Sequence, residues 1–351
     1  MDAANSRHTT ITVSHPAPDK SVAAWLKVLG CFLVFINTYG VAATYGAYQA
    51  YYQTNLLATS SPSKISWIGT VQVFLLGLAG VVAGPFFDRG YSRSVLSFGC
   101  FLIVLGHLTL SFSHSYASIL LSQGVCIGTG QGLTYVPAVA AVANAFTNLR
   151  PIALGIGASG AAVGGVILPI TFRSLVSRIG FDWLNRVFAL FTLVTSASAV
   201  ILLWPKSPIP PRRGFLDLSA FKEPPYILLC IGLFLVELGY WIPPFTIPVY
   251  AELKMRTGTE FAFDLLAMMN AGSFAGRILP AFVAQSRRIG PAWTLVVGAF
   301  SLGFMSGITV SLPNAVLPRL SPAHVWNQYL PGSVRVVCAS LAYRKEEKRI
   351  E

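Results

Sequence analysis

The decisive stretch of this sequence is Gly84-Pro85-Phe86-Phe87-Asp88-Arg89-Gly90-Tyr91-Ser92-Arg93. It is a short charged connection between two long apolar runs, near residues 66–87 and 94–113. Each run has about 20 residues, which as a helix is enough to cross about 30 Å of hydrocarbon. The stretch therefore predicts two antiparallel membrane-spanning helices joined by a charged loop.

The composition indicates that most of the molecular surface does not face water. Of the 351 residues, 54% are hydrophobic and only 11% are charged, whereas a soluble domain carries about 25% charged residues. Apolar runs of similar length recur along the chain. We therefore predict an all-α fold, a polytopic membrane helix bundle, with the lipid bilayer as its surroundings.

The net charge of +12 has a membrane explanation. Lys and Arg gather in the short connections between apolar runs, where they set orientation and meet anionic lipid. Because no basic helix is interleaved with stacking aromatic residues, we do not expect nucleic acid to bind. The five cysteines have no CxxC spacing, and we predict neither a metal site nor a cofactor.

The apolar pattern predicts nine spanning helices. They lie near residues 26–48, 66–87, 94–113, 118–145, 151–172, 183–204, 226–250, 262–283 and 292–312. The connection at 205–225 is rich in proline and basic residues, and it separates six predicted helices from three. We expect these parts: a cytoplasmic tail 1–25, a six-helix bundle 26–204, a cytoplasmic interdomain loop 205–225, an incomplete bundle 226–312 and an atypical tail 313–351.

The distribution of Lys and Arg predicts a cytoplasmic N-terminus. Eleven basic residues then lie inside, namely Arg7, Lys20, Arg89, Arg93, Arg150, Lys206, Arg212, Arg213, Lys222, Arg287 and Arg288. Six lie outside, namely Lys64, Arg173, Arg178, Arg186, Lys254 and Arg256. The cluster of Arg173, Arg178 and Arg186 opposes this assignment.

The stretch 313–351 has no clean apolar run and ends in a charged segment. With nine helices this basic tail would lie outside, against the positive-inside trend. Either the tail is an unusual terminus or the reading frame departs there from the ancestral one, and we favour the second interpretation.

The loop at 84–93 resembles the loop signature of the major facilitator superfamily, a glycine followed by Asp-Arg and a further basic residue. The resemblance implies a latch at the cytoplasmic mouth, formed by Gly84, Asp88, Arg89 and Arg93. Gly84 would let two helices approach closely, and Asp88 would cap a helix end or pair with an arginine. A generic charged loop is the alternative.

Further segments resemble the monocarboxylate-porter branch of that family, in particular its fungal members. They are Ser66–Gln72, Leu121–Val125, Ala153–Gly160, Leu216–Phe221 and Gly276–Pro280. The resemblance implies twelve helices in two halves around a central cavity, with alternating access. About nine of those helices are predicted in this chain.

The chain departs from the animal monocarboxylate carriers at the charged positions of their proton switch. Arg277 matches their arginine, but Ser273 stands where they place an aspartate, and Gln285 stands where a loop acid is expected. No lysine lies between Lys27 and Lys64. The resemblance therefore does not extend to proton-coupled lactate transport.

Two ionisable residues lie deep in predicted spans, Glu237 in the seventh and Arg277 in the eighth. A charge at that depth is costly unless it is paired or faces water, so both are candidates for the substrate path. Glu237 could replace the missing acid and carry a coupling proton, or the two could form a structural ion pair.

Polar residues on other predicted helices could also line the path. These candidates are Asn37, Tyr45, Gln49, Gln131, Tyr135 and Asn270. For each of them, a hydrogen bond between helices is the alternative. Gly160, Gly164 and Pro169 of the fifth predicted helix form either a close-packing face or a hinge.

The leading functional prediction is a secondary transporter of a small organic molecule, an organic anion or a specialised metabolite, in the plasma membrane. The sequence has no GxxxxGK[ST] motif, which an ATP-driven pump would need, and no HExxH or GxSxG motif of the kind that marks an enzyme. The alternative is a truncated remnant or sensor that does not transport. The sequence leaves the substrate, the direction and the coupling ion open.

Overall fold

A computed structural model describes residues 21–204 and 259–285, with Ile227 and Ile231 between them. All secondary structure within these residues is helical. The helices are α1 (Val22–Leu56), α2 (Pro62–Asp88), α3 (Ser92–Leu110), α4 (Tyr116–Ala143), α5 (Arg150–Leu203) and α6 (Thr259–Gln285). Helices α1 to α5 are each long and apolar enough to cross a membrane, so the fold is a polytopic helix bundle.

Helix α5 is too long for a single crossing. Its 54 residues would extend about 80 Å at 1.5 Å per residue, against about 30 Å of hydrocarbon. The helical backbone breaks at Gly180, where φ is 78° and ψ is 171°, a conformation that glycine adopts without steric penalty. We call residues 150–179 the first arm of α5 and residues 181–203 its second arm, and each arm is long enough to cross once.

The break at Gly180 lies within the connection predicted at 173–182, so the two predicted spans are confirmed, but the connection is far shorter than predicted. The helical backbone continues on both sides and only Gly180 departs from it. Arg173 and Arg178 therefore lie on the last turns of the first arm of α5 and not in a loop.

Helix α1 ends at Leu56 rather than near residue 48, and it contains two π-helical stretches, Ile36–Gly40 and Tyr52–Leu56. Helix α4 also contains a π-helical stretch, Leu120–Ile127, directly after its first turn. The predicted ends of α2, α3 and α4 agree with the structure within a few residues. Periodicity cannot predict the π stretches, since they depend on tertiary contacts.

Helices α1 and α4 occupy the centre of the bundle. The most apolar window of each is 72% buried, compared with 39% for α2 and α3 and 33% for α5. The outer helices expose large apolar side chains, including Phe74, Phe101, Leu190 and Ile201. Because α1 to α5 are apolar and of spanning length, these outer faces are the surfaces that meet lipid.

The first arm of α5 contacts α1 through glycines. A Cβ at Gly160 would overlap the carbonyl oxygen of Phe32, and a Cβ at Gly164 would lie 3.0 Å from the Cα of Gly40. The two backbones are therefore in direct contact, as small residues permit between membrane helices. Pro169 is buried further along the same arm. The division into bundles 26–204 and 226–312 stays a prediction, because residues 205–226 lie outside the described part.

We expect Gly160→Ala to lower the thermal stability of the protein, because the added methyl group must displace the backbone of α1. Overpacking of this kind costs about 1–3 kcal/mol. Thermal unfolding in detergent would measure the change in Tm. Gly77→Ala is the matched control, since a Cβ there meets nothing within 4 Å and alanine favours helix. Equal Tm values for the two variants would contradict close backbone contact at Gly160.

Candidate functional site

Asn37 lies in the π-helical stretch of α1 and joins this helix to the second arm of α5. Its Nδ2 donates to Ser196 Oγ at 3.1 Å, and its Oδ1 accepts from Thr195 Oγ1 at 3.0 Å. The side chain is almost completely buried. Both ends of the amide are therefore used in a contact between helices, at a π-helical site of the kind that often occurs near functional residues.

Gln131 of α4 connects three helices. Its Nε2 donates to the carbonyl oxygens of Asn37 and Thr38, at 3.3 and 2.9 Å. Its Oε1 accepts from Gln72 Nε2 of α2 at 3.2 Å. Because carbonyl oxygens only accept, these contacts determine which end of each amide is the nitrogen. Gln72 Oε1 is buried and has no hydrogen-bond partner among the described residues.

Tyr45 and Gln49 join α1 to the first turns of α2. The Tyr45 hydroxyl donates to the carbonyl of Ile65 at 2.5 Å, and its ring fills the space where Gly69 lacks a side chain. Gln49 Nε2 donates to Ser66 Oγ at 3.1 Å, while its Oε1 is buried without a partner in the described part of the chain. Both residues thus contact a neighbouring helix.

Tyr135 of α4 belongs to an aromatic cluster with α1. Its ring is 5.4 Å from the rings of Phe35 and Tyr39, in edge-to-face arrangements that favour aromatic pairs. All five candidates on α1 and α4 therefore make contacts between helices. A role in binding substrate stays a prediction for each of them.

Arg277 lies on α6 and reaches across to the first arm of α5. Its Nη1 donates to the carbonyl oxygen of Ala158 at 2.8 Å, and its Nε donates to Ser273 Oγ at 3.3 Å. Only 2% of the residue is exposed. The serine that stands in place of the expected aspartate is therefore in direct contact with the arginine.

Asn270 makes a second, parallel contact between the same helices. Its Nδ2 donates to the carbonyl oxygen of Gly165 at 3.0 Å, and its side chain occupies the space where a Cβ of Gly165 would lie. Seven residues separate the two donors on α6 and the two acceptors on α5, which is about 10 Å along a helix. We call these two contacts the α5–α6 ladder.

The loop at 84–93 ends α2 with a Schellman motif, in which a glycine in the left-handed conformation closes the helix. Gly90 has φ of 87°. Its N–H donates to the carbonyl of Phe87 at 2.9 Å, and the N–H of Tyr91 donates to that of Phe86 at 3.0 Å. Gly84 and Asp88 are buried at this end of α2, and Arg89 follows directly as the C-cap residue.

Arg93 connects this loop to the end of α5. Its Nε and Nη2 donate to the carbonyl oxygen of Trp204 at 3.1 and 2.8 Å, and its guanidinium lies 4.6 Å from the centre of the Trp204 ring. A cation at a helix C-terminus satisfies a terminal carbonyl and favours the helix dipole. The structure therefore places Arg93 at the residue that precedes the predicted interdomain loop.

Three residues that take part in these contacts were not predicted from the sequence, namely Gln72, Ala158 and Trp204. Gln72 could have been found, because it is a polar residue within an apolar run. Ala158 and Trp204 accept through their backbone carbonyls, and no side-chain pattern identifies such a residue.

Several predictions fall outside the described residues. They concern Glu237 and the segments 205–225 and 313–351. Within the described residues, no group of three or more His, Cys, Asp or Glu side chains could hold a metal ion.

We expect Gln131→Leu to destabilise the protein strongly, because it leaves the carbonyls of Asn37 and Thr38 and the Gln72 amide without their partner. Each stranded buried group costs about 1–3 kcal/mol. Thermal unfolding in detergent checks this expectation. Gln49→Leu is the matched control, since it removes a single bond and one oxygen that already has no partner. A loss of Tm no larger for Gln131→Leu than for Gln49→Leu would contradict the connecting role of Gln131.

Comparison with known proteins identifies the family. The model of the Major Facilitator Superfamily matches residues 29–327. The MFS-type transporter dbaD of Emericella nidulans is 37% identical over 270 residues, which cover 77% of this chain and 60% of that protein. The aspyridones efflux protein apdF of the same organism is 36% identical over 280 residues, 79% of this chain and 56% of that protein.

A further relative is the fujikurins efflux protein of Gibberella fujikuroi. It is 33% identical over 298 residues, which cover 84% of this chain and 63% of that protein. The chain thus spans less than two thirds of the length of each of these three curated relatives. Because the family match covers most of the chain and agrees with its polytopic helix bundle, the protein belongs to the Major Facilitator Superfamily, a family of membrane transporters and not of enzymes.

Proposed function

We propose that this protein is a secondary transporter that exports a small organic metabolite by alternating access. The names of two relatives support export, since one is an aspyridones efflux protein and the other a fujikurins efflux protein. The α5–α6 ladder carries the proposal from the structure, because it joins a helix of the first predicted bundle to a helix of the second.

The ladder has the properties that a reversible contact needs. Its donors on α6 bond to backbone carbonyls of α5, at Gly165 and Ala158. Next to it, a Cβ at Gly155 would lie 2.8 Å from the Cβ of Ala281, so the helices approach closely. Small residues permit such an approach without large interlocking side chains, which suits the rocking of one bundle against the other.

Arg277 is the strongest candidate for substrate contact in this proposal. A buried cation within a membrane bundle marks a substrate or ion path by default. When the helices separate, an organic anion would replace the Ala158 carbonyl oxygen as the acceptor of the hydrogen bond from Arg277 Nη1. This chemistry agrees with membership of the monocarboxylate-porter branch, which we retain as part of the proposal.

The remaining parts of the proposal concern location and coupling. We place the transporter in the plasma membrane, with a proton as a candidate coupling ion. Arg93, held on the Trp204 carbonyl, together with Gly84, Asp88 and Arg89, would stabilise one end of the first bundle during rocking. Gly160 and Gly164 would keep the first arm of α5 attached to α1, so that both move as one body.

The direct test is efflux from yeast cells that express the protein. Cells are loaded with aspyridones, fujikurins and other fungal metabolites, and the retention of each compound is measured by mass spectrometry. We expect faster loss of at least one organic anion than from cells with an empty vector. Unchanged retention of every compound, with the protein present in the plasma membrane, would count against export.

The ladder can be tested by a double-mutant cycle. We expect Gly165→Ala to lower Tm, because the new methyl group overlaps the Asn270 amide. In the Gly165→Ala background, Asn270→Ala should restore part of the loss, since it removes the overlapping group. The two substitutions are then non-additive, as is usual for residues in contact.

The same variants can be compared by their rate of efflux of a transported compound. Because the ladder must break and form again in every transport cycle, Asn270→Ala alone should change the efflux rate without lowering the amount of protein. If the Tm changes of Gly165→Ala and Asn270→Ala were strictly additive and the efflux rate were unchanged, the ladder would have no role in transport.

A further inference from the structure

Arg186 is held between two aromatic rings at the end of the bundle where α3 ends and the second arm of α5 begins. Its guanidinium carbon lies 4.5 Å from the centre of the Trp183 ring and 5.0 Å from that of the Phe112 ring. Cation–π contacts at this distance attract the guanidinium to the ring faces. Two rings from different segments therefore orient one cation.

Both rings face outward. Phe112 is 65% exposed and Trp183 is 60% exposed, although each is a large apolar group at the end of a membrane-spanning helix. Aromatic rings in this position are typical of the boundary between hydrocarbon and headgroups. Arg186 is therefore located where a long cationic side chain can reach the headgroup level.

The hydrogen-bonding groups of Arg186 are not used within the described part of the chain. No hydrogen bond or ion pair of its guanidinium occurs there, and its contacts are the two rings. Asp182, one turn earlier on the same helix, lies 4.0 Å from His114 Nε2 instead. A guanidinium carries five N–H donors in a planar arrangement and no acceptor, so Arg186 offers a bidentate donor pair to an external anion.

The surrounding charge also favours an anion. Lys64 lies 4.7 Å from the ring of Tyr116 at the same end of the bundle, and Arg173 and Arg178 lie on the last turns of the first arm of α5. Asp182 is the one acidic residue in the described stretch 173–186. Arg173, Arg178 and Arg186 are the arginines that oppose the positive-inside trend. An anionic partner on that side of the membrane would offset their positive charge.

We propose that Arg186, Phe112 and Trp183 form a binding site for the phosphate group of a membrane phospholipid. The guanidinium binds two phosphate oxygens, as arginine does with planar bidentate geometry, and the rings contact the glycerol and the first acyl carbons. The site lies on the outer face of the bundle, apart from the α5–α6 ladder, and its failure would leave the proposed transport function unaffected.

The experiment is thermal unfolding of the purified, delipidated full chain titrated with dioleoylphosphatidylglycerol. A ligand that binds the folded state raises Tm with its concentration. We expect Arg186→Gln to weaken this stabilisation at least tenfold in lipid concentration, and Arg186→Lys to give an intermediate effect because lysine lacks the bidentate geometry. Arg178→Gln is the matched control for charge, because it removes an exposed arginine near the same helix break that contacts neither ring, and it should weaken the stabilisation far less than Arg186→Gln does.

Two further ligands separate the sources of stabilisation. Dioleoylglycerol has the same acyl chains without phosphate, and it should stabilise the protein much less. Inorganic phosphate at the same concentrations should have no effect, because it lacks the chains that contact the rings.

Trp183→Leu keeps an apolar side chain but removes a ring face, and it should weaken lipid binding even if Arg186→Gln does not fold.

Several results would overturn the proposal. They are an equal response of Arg186→Gln, Arg178→Gln and the unchanged protein, equal stabilisation by dioleoylglycerol, or unaltered lipid binding by Trp183→Leu. Stabilisation by inorganic phosphate alone would show a site for a free anion and would overturn the assignment to a lipid.

Discussion

The contacts of the first arm of α5 depend on how closely it approaches its two neighbours. On one side Gly160 and Gly164 lie against the backbone of α1, and on the other Gly165 lies against Asn270 of α6. Between helices in lipid there is little hydrophobic driving force, so van der Waals contact and hydrogen bonds hold them together. A larger side chain at these positions would separate the helices and break the polar contacts beside them.

Backbone carbonyls are the acceptors in three of the hydrogen bonds that connect different helices. Gln131, Arg277 and Arg93 each donate to the carbonyl of a residue on another helix. Gln131 and Arg277 are buried, and because no water competes for buried polar groups in a bilayer, their bonds are retained wherever geometry allows. A carbonyl acceptor can also be exchanged for a substrate oxygen without leaving a buried carboxylate behind, which is why we propose Arg277 as a residue of the transport path.

The sequence predicted the helices well and their irregularities poorly. The apolar runs predicted α1 to α4 because a span of about 20 apolar residues is a strong signal. The connection predicted at 173–182 is reduced to the break at Gly180, since the rest of that stretch stays helical. Arg277 was identifiable as a site candidate from its charge and depth, but its contact with Ala158 was not, because the acceptor is a main-chain atom.

The amino-acid sequence by itself determined that this is a membrane helix bundle of the major facilitator type, because composition, run length and the loop at 84–93 are local properties of the chain. Only the tertiary structure decided which polar groups meet. Gln72 and Gln131 are far apart in sequence and bonded in space, and Arg186 lies between rings from two separate segments. Such pairings depend on helix rotation and crossing, which the packing of small residues sets and which no local pattern contains.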